Sequence, residues 1–277
     1  MQIDTLRNLQ SVGVNDFLST LKSVEINPTE LCNRTCVFCP RTDPAIYKNQ
    51  KKHISVGLCK TIAEQLNSIN FSGRIGITGF GEPLLNPKLL ECIAELRNCK
   101  TARWIEVTTN GDNLTRDLVL KLAEVGCTNI TVSMYDNDKS KYFTDMIEDT
   151  SIELTLKHHY DIKQNYNLRI VNRIDIVKKT ANLNLNKPCY IPFYKIFIDW
   201  NGDYLLCQQD WGKTTALYNI QTTSIETYWL RKLDEYRKKL AKGTRMQDPC
   251  RYCNIDGTVY GSESFNFFIN NEFEYFN

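Results

Sequence analysis

Long hydrophobic runs are missing from this chain: no stretch reaches the roughly 18 apolar residues that a membrane span requires. The opening MQIDTLRNLQ has no basic segment leading into an apolar one, so no secretory signal is read there and the expected location is the cytoplasm. A dominant charge is also missing. Lys and Arg number 34 against 32 Asp and Glu, a formal net charge of +2, which argues against a large nucleic-acid footprint while still allowing a local basic pocket. Internal repeats are not detected. Histidine is scarce, with 3 residues, whereas cysteine is abundant, with 11. Disulfides are disfavoured in a cytoplasmic compartment, so this cysteine content points to other chemistry. With 277 residues, 42% hydrophobic and 24% charged, the chain holds enough material for one substantial core and a small appendage.

Apolar periodicity predicts alternating strands and helices. SVEIN (23–27) reads as a strand. Leu58, Ile62, Leu66 and Ile69 recur at helical spacing, and a strand over 74–78 runs into GFGEP. Pro87 fits the first turn of a helix carrying Leu89, Leu90, Ile93 and Leu96. A strand over 104–108 ends in Thr109-Asn110-Gly111, a helix follows over about 115–125, and a fourth strand spans 129–134. The segment 152–160 is a possible short element, and 167–176 is the best remaining strand. Such alternation predicts an α/β fold with a mainly parallel sheet, in which function collects at the carboxyl ends of the strands. Beyond Lys178 the texture turns polar. There Asn201-Gly202-Asp203 reads as a tight hairpin turn, and an amphipathic helix is expected over 224–241. The closing SFNFFINNEFEYFN is aromatic enough to pack back on the main body.

Seven cysteines have ligand-like placement; Cys59, Cys92, Cys99 and Cys127 read as ordinary core thiols. Cys32, Cys36 and Cys39 form a C-x3-C-x2-C run directly after the first strand. Three thiolates can hold a four-iron cubane and leave one iron open. A zinc knuckle is the alternative, but it needs a fourth ligand that only a folded-back His53 could supply. Gly81-Glu82-Pro83 can be a simple strand-to-helix turn. Asn110 and Ser133 are short polar groups at strand ends, able to serve a ribose or equally to cap helices. Arg173 could pair with a carboxylate or a substrate oxygen, or face outward. Cys189, Cys207, Cys250 and Cys253 form a second set of four thiols, suited either to a closed cluster or to zinc.

The cysteine run after a first strand, with GFGEP after the second, resembles the radical S-adenosylmethionine superfamily. The resemblance implies a partial (β/α)6 TIM-like barrel over 22–180, after an N-terminal extension (1–21). A small β-hairpin and helix domain for an auxiliary cluster (181–255) and an aromatic tail (256–277) would follow. The implied cofactors are S-adenosylmethionine and two 4Fe–4S clusters. Cys32, Cys36 and Cys39 would bind the first cluster, with Phe38 beside the adenine. Gly81 and Glu82 would clasp the methionine amino group, although Phe80 stands where a glycine is common. Asn110, Ser133 and Arg173 would approach the rest of the cofactor. The later Gly202, Cys207 and Cys250-Arg-Tyr-Cys253 resemble the truncated SPASM extension called a twitch domain, whose second cluster Cys189, Cys207, Cys250 and Cys253 would complete.

Within that superfamily the architecture is similar to short cyclitol dehydrogenases, including an Arg some sixteen residues before the first auxiliary ligand. The implied activity is oxidation of a secondary alcohol on a sugar, cyclitol or nucleotide sugar by a 5′-deoxyadenosyl radical, with Arg173 at a substrate oxygen. A flavodoxin or ferredoxin-type protein would donate electrons to the cluster. Epimerisation or another redox-neutral change of a sugar or peptide is the rival. A non-catalytic iron-sulfur or zinc module is a second rival.

Overall fold

The computed structural model describes residues 13–36, 39–45, 47–159 and 186–275. Its strands are β1 (Ser23–Ile26), β2 (Arg74–Ile77), β3 (Trp104–Thr109), β4 (Asn129–Met134), β5 (Glu153–His158), β6 (Lys195–Ile198) and β7 (Tyr204–Leu205). They make one sheet in the order β5-β4-β3-β2-β1-β6-β7. Every neighbouring pair is parallel except the β6–β7 hairpin. Helices α1 (Val14–Ser19), α2 (Val56–Ser68), α3 (Leu89–Leu96), α4 (Arg116–Glu124) and α5 (Ser140–Ile147) precede or connect the first five strands.

The crossovers form because their apolar residues fall on one helical face. In α2, Leu58, Cys59, Ile62, Ala63 and Leu66 are buried, and the Ser55 hydroxyl accepts from the Leu58 amide at the first turn. Thr115 caps α4 in the same way, and Val119 and Leu122 go inward. Pro87 lies just before Lys88, the cap of α3, instead of inside its first turn. The amide of Lys88 is taken by the Asn86 side chain, which moves the start of the helix along by one step.

The other face of the sheet is polar. In β3, Ile105, Val107 and Thr109 are buried while Trp104, Glu106 and Thr108 alternate with them. Arg74 reaches across the strands to bond Glu106 at 2.7 Å and Glu25 at 3.2 Å, and Lys195 bonds Glu25 at 2.7 Å. Gly76 makes this ladder possible: a Cβ there would meet the Arg74 guanidinium within 2.5 Å.

Segment 152–160 supplies β5, which extends the sheet beyond β4; the expected strand over 167–176 lies outside the described residues. The expected hairpin is present, but its first strand pairs in parallel with β1. The hairpin therefore continues the main sheet, because β1 would otherwise leave an edge of unpaired backbone groups. The expected helix over 224–241 is broken at Leu233, into a stretch over 225–232 and the helix Asp234–Ala241. The C-terminal helix Ser262–Tyr275 folds back. Phe268 is buried edge-on to Phe17 of α1, and the indole of Trp229 donates to the Phe17 carbonyl. Among the described residues no helix is long and apolar enough to cross a membrane.

Candidate functional site

A cleft of about 280 Å³ opens at the carboxyl ends of β1 to β5. Cys32, Cys36, Cys39, Gly81, Glu82, Asn110 and Ser133 all line it. His53 is not among the lining residues: it bridges backbone to backbone with Thr29, and its Nδ1 sits 2.8 Å from the Thr29 hydroxyl. Phe38 and Arg173 lie outside the described residues. Cys59, Cys92, Cys99 and Cys127 are buried core thiols.

The cysteine loop is held by its own polar residues. Arg34, two positions beyond Cys32, bonds both oxygens of Asp112 after β3 (2.7 and 2.5 Å) and both oxygens of Asp136 after β4 (3.1 and 2.8 Å). These bonds pull both carboxyl groups below their ordinary range. Asn33 bonds Asp112 and accepts from the Asn110 side-chain amide, whose oxygen in turn accepts the Asp112 amide. Asn110 thus spends its side chain ordering the rim. Asn49 grips Cys32 by both its amide and its carbonyl.

Glu82 is buried beneath the cleft. Its carboxylate accepts from the Thr109 hydroxyl at 2.6 Å, the Asn110 amide at 2.8 Å and the Leu84 amide at 3.1 Å. Burial raises this carboxyl above its ordinary range against the pull of those donors. Gly81 is needed for close approach, since a Cβ there would meet the Thr29 carbonyl at 2.3 Å. The neighbouring Phe80 carbonyl is taken by buried Arg41 at 2.6 Å, and its ring packs on Trp211, Phe197 and Tyr47.

The second set also converges. Cys189, Cys207, Cys250 and Cys253 line one void with Ile191, Leu206, Leu240 and Ile255. Gly257 leaves room for the Cys189 sulfur, which a Cβ would approach to 2.4 Å. Burial pushes the Cys189 thiol up to about 11, partly offset by Arg245, and raises the other three. Such thiols ionise once a metal charge stands among them. Arg245 is itself buried, donating to the carbonyls of Lys187, Pro188 and Ile255. Its charge suits a site with four thiolates. Among the described residues no three His, Cys, Asp or Glu side chains are arranged around a single ion. Cys32, Cys36 and Cys39 line the cleft and the other four thiols line the second void; three and four thiols are the ligand numbers of a cubane with one open iron and of a closed one.

Sequence reasoning overlooked Arg34, Arg41, Lys157, His159 and Trp211, all of which line the cleft, whereas Tyr135 lies in the strand end after β4 that was expected at the rim. Arg34 lies inside the cysteine run and Trp211 four positions after Cys207, so proximity to ligands was the available signal. The Cys207–Trp211 segment thereby spans from the second void to the cleft.

Comparison with known proteins accords with this geometry. The profile of the Radical SAM superfamily matches residues 26–179, and that of the SPASM iron-sulfur cluster-binding domain matches 189–254. The S-adenosyl-L-methionine-dependent 2-deoxy-scyllo-inosamine dehydrogenase of Niallia circulans is 28% identical over 249 residues, covering 86% of this chain and 94% of its own length. The crystal structure of BtrN in complex with AdoMet and 2-DOIA superposes with a TM-score of 0.71 at 27% identity, covering 87% of this chain and 96% of that one. GTP 3',8-cyclase of Klebsiella pneumoniae is 31% identical over 123 residues, which is 43% of this chain and 36% of the cyclase.

Proposed function

The chain belongs to the radical SAM superfamily, and from that premise we propose that it oxidises a secondary alcohol of a sugar, cyclitol or nucleotide sugar to a ketone. Its cofactors are S-adenosylmethionine and 4Fe–4S clusters. In this reading Cys32, Cys36 and Cys39 hold the cluster with the open iron, and Cys189, Cys207, Cys250 and Cys253 hold the closed one. Bound together, the cofactor and the reduced first cluster supply one-electron cleavage and hence hydrogen-atom abstraction.

The residues of the chain set the stage for that chemistry. Arg34, clamped by Asp112 and Asp136, ties the cysteine loop to the ends of β3 and β4, fixing the triad relative to the cleft floor. Glu82 holds the Asn110 backbone and the GFGEP turn in register, presenting the Gly81 backbone to the methionine end. Ser133 and Lys157, paired across β4 and β5, offer a hydroxyl and a cation to polar groups on the opposite wall. Trp211 and Phe80 close the side facing the second void and exclude water. Phe38 beside adenine and Arg173 at a substrate oxygen complete the proposed site. A flavodoxin or ferredoxin-type donor and a cytoplasmic location belong to the same reading.

The observation that carries oxidation over rearrangement is the complete second set of thiols, joined to the cleft by the Cys207–Trp211 segment. Alcohol oxidation releases one electron beyond the hydrogen atom and the proton, and a closed cluster there can receive it. The dehydrogenase of Niallia circulans, alike over nearly its full length, supports the same chemistry. An epimerase needs a hydrogen donor at the cleft, and neither Cys59 nor Cys127 lines it.

The test is anaerobic turnover of reconstituted enzyme with cyclitols and nucleotide sugars in deuterated water. A ketone formed with one S-adenosylmethionine consumed per turnover is expected. An isomeric product carrying solvent deuterium would replace oxidation with epimerisation.

A further inference from the structure

A second cleft, of about 350 Å³, is lined by Leu217, Tyr218, Arg231, Lys232, Glu235, Tyr236, Lys239 and Gln247. None of these residues lines the cleft holding the cysteine triad. Its chemistry is that of a docking surface. Arg231, Lys232 and Lys239 are exposed, and among the described residues no carboxylate forms an ion pair with any of them. The Lys232 ammonium stands 5.1 Å from the Tyr218 ring centroid. Leu217 is 70% exposed, and Met246, beside Gln247, is 66% exposed. Apolar side chains that open to solvent among unpaired cations are typical of a protein-binding patch.

Residues 224–254 carry eight Lys and Arg against four Asp and Glu; Arg237 and Arg245 among them are buried, and the groove itself presents Arg231, Lys232 and Lys239 against the single carboxylate of Glu235. The groove also backs onto the four-thiol void. Helix Asp234–Ala241 places Leu240 in the lining of that void and Tyr236 and Lys239 in the groove. Gln247 accepts the Arg251 amide next to Cys250. An α-helix is about 10 Å across, so a carrier seated in the groove comes within roughly one helix diameter of the second cluster site.

We propose that this groove docks an acidic one-electron carrier protein of the flavodoxin type, which withdraws an electron from the auxiliary cluster after each turnover. The inference rests on the alcohol-oxidation reading, whose balance requires it. One hydrogen atom and one proton leave the alcohol, the remaining electron reduces the auxiliary cluster, and the cluster is reoxidised as the flavin of the carrier goes to its semiquinone. Complementary charge steers such an encounter and makes it sensitive to salt.

The test uses holoenzyme with both clusters, without substrate, and an oxidised acidic flavodoxin as the probe. Binding is followed by anaerobic calorimetry, and reoxidation of the prereduced auxiliary cluster by stopped-flow absorbance. The charge-reversal variant Arg231→Glu/Lys232→Glu/Lys239→Glu is expected to lower both affinity and second-order rate by about tenfold or more and to invert their salt dependence, so that added salt raises them. Oxidation by a small neutral quinone should not change. The neutral variant Lys232→Gln/Lys239→Gln should fall between. Parent-like binding and rate in the reversed variant, or an equal loss with the quinone, would overturn the proposal. Because no alcohol is present, this result stands apart from the turnover test: failure to form a ketone removes the oxidation reading, whereas an intact groove response does not depend on which alcohol is used.

Discussion

Gly81 shows how one missing carbon shapes the cleft. A Cβ at this position would come within 2.3 Å of the Thr29 carbonyl and 2.6 Å of the Leu31 carbonyl. Both neighbours are backbone atoms of the segment leading into the cysteine loop, so they cannot swing aside as a side chain would. Gly81→Ala must push the GFGEP turn away from that segment, and the Glu82 amide that bonds the Leu31 carbonyl at 2.8 Å moves with it. The expected cost is about 1–3 kcal/mol of stability, with S-adenosylmethionine binding weakened by about tenfold. Gly57, inside α2, is the matched control, since a Cβ there meets nothing within 4 Å. Gly57→Ala should gain about 0.5 kcal/mol from helix propensity and leave cofactor affinity unchanged. Thermal unfolding and equilibrium dialysis of the two variants check this. If Gly81→Ala binds as tightly as the parent, the close approach has no functional meaning.

At the level of elements, the sheet carries a charged ladder on its inner face where a closed barrel would carry a packed core. Glu106 is its centre. Burial would raise its carboxyl, but the bonds and charge of Arg74 outweigh burial, and the group falls to about 2 from an ordinary 4.5. A carboxyl depressed by folding contributes stability that is full above pH 4.5 and lost as pH falls toward about 2. Arg74→Met strands Glu106 and leaves Glu25 to Lys195 alone, at a cost of about 3 kcal/mol near neutral pH. The deficit should shrink on acidification as both carboxylates take up protons. Urea unfolding of parent and variant at several pH values reads this, and a deficit independent of pH would dismiss the ladder as an energetic element. Its strands were legible where one face alternates with the other, as in β3, and β4 falls on the residues its pattern indicates. The seating of β6 beside β1 was not legible, because a parallel edge is chosen by contacts about 170 residues apart. Arg34 escaped notice for a related reason: a polar residue in a loop reads as solvated until its carboxylates arrive from β3 and β4.

Across the whole molecule, the two cysteine sets are parts of one machine because buried groups tie their surroundings together. Lys213, six residues after Cys207, donates to Glu30 at 2.8 Å and to Asp199 at 2.5 Å, and Asn27 bonds both carboxylates. Glu30 precedes the triad by two residues, so the cysteine loop and the C-terminal unit share a single buried polar cluster. The burdens of the two sites should nevertheless separate chemically. On the proposed assignment Cys32 is a ligand of the open cluster, and Cys32→Ala is expected to lower iron from about eight to about four per chain and to abolish cleavage of S-adenosylmethionine. Cys207→Ala should also lose about four irons, yet keep the triad and the cleavage reaction. Ketone formation should still fall by about 100-fold or more, a barrier increase of about 3 kcal/mol, because the electron left on the oxidised carbon has nowhere to go. Iron assay, electron paramagnetic resonance of the reduced protein, and parallel measurement of cofactor cleavage and ketone separate these outcomes. Were Cys207→Ala to form ketone at the parental rate with half the iron, the second cluster would be a structural staple, and the electron would leave the cleft by a route that does not include the Cys207–Trp211 segment.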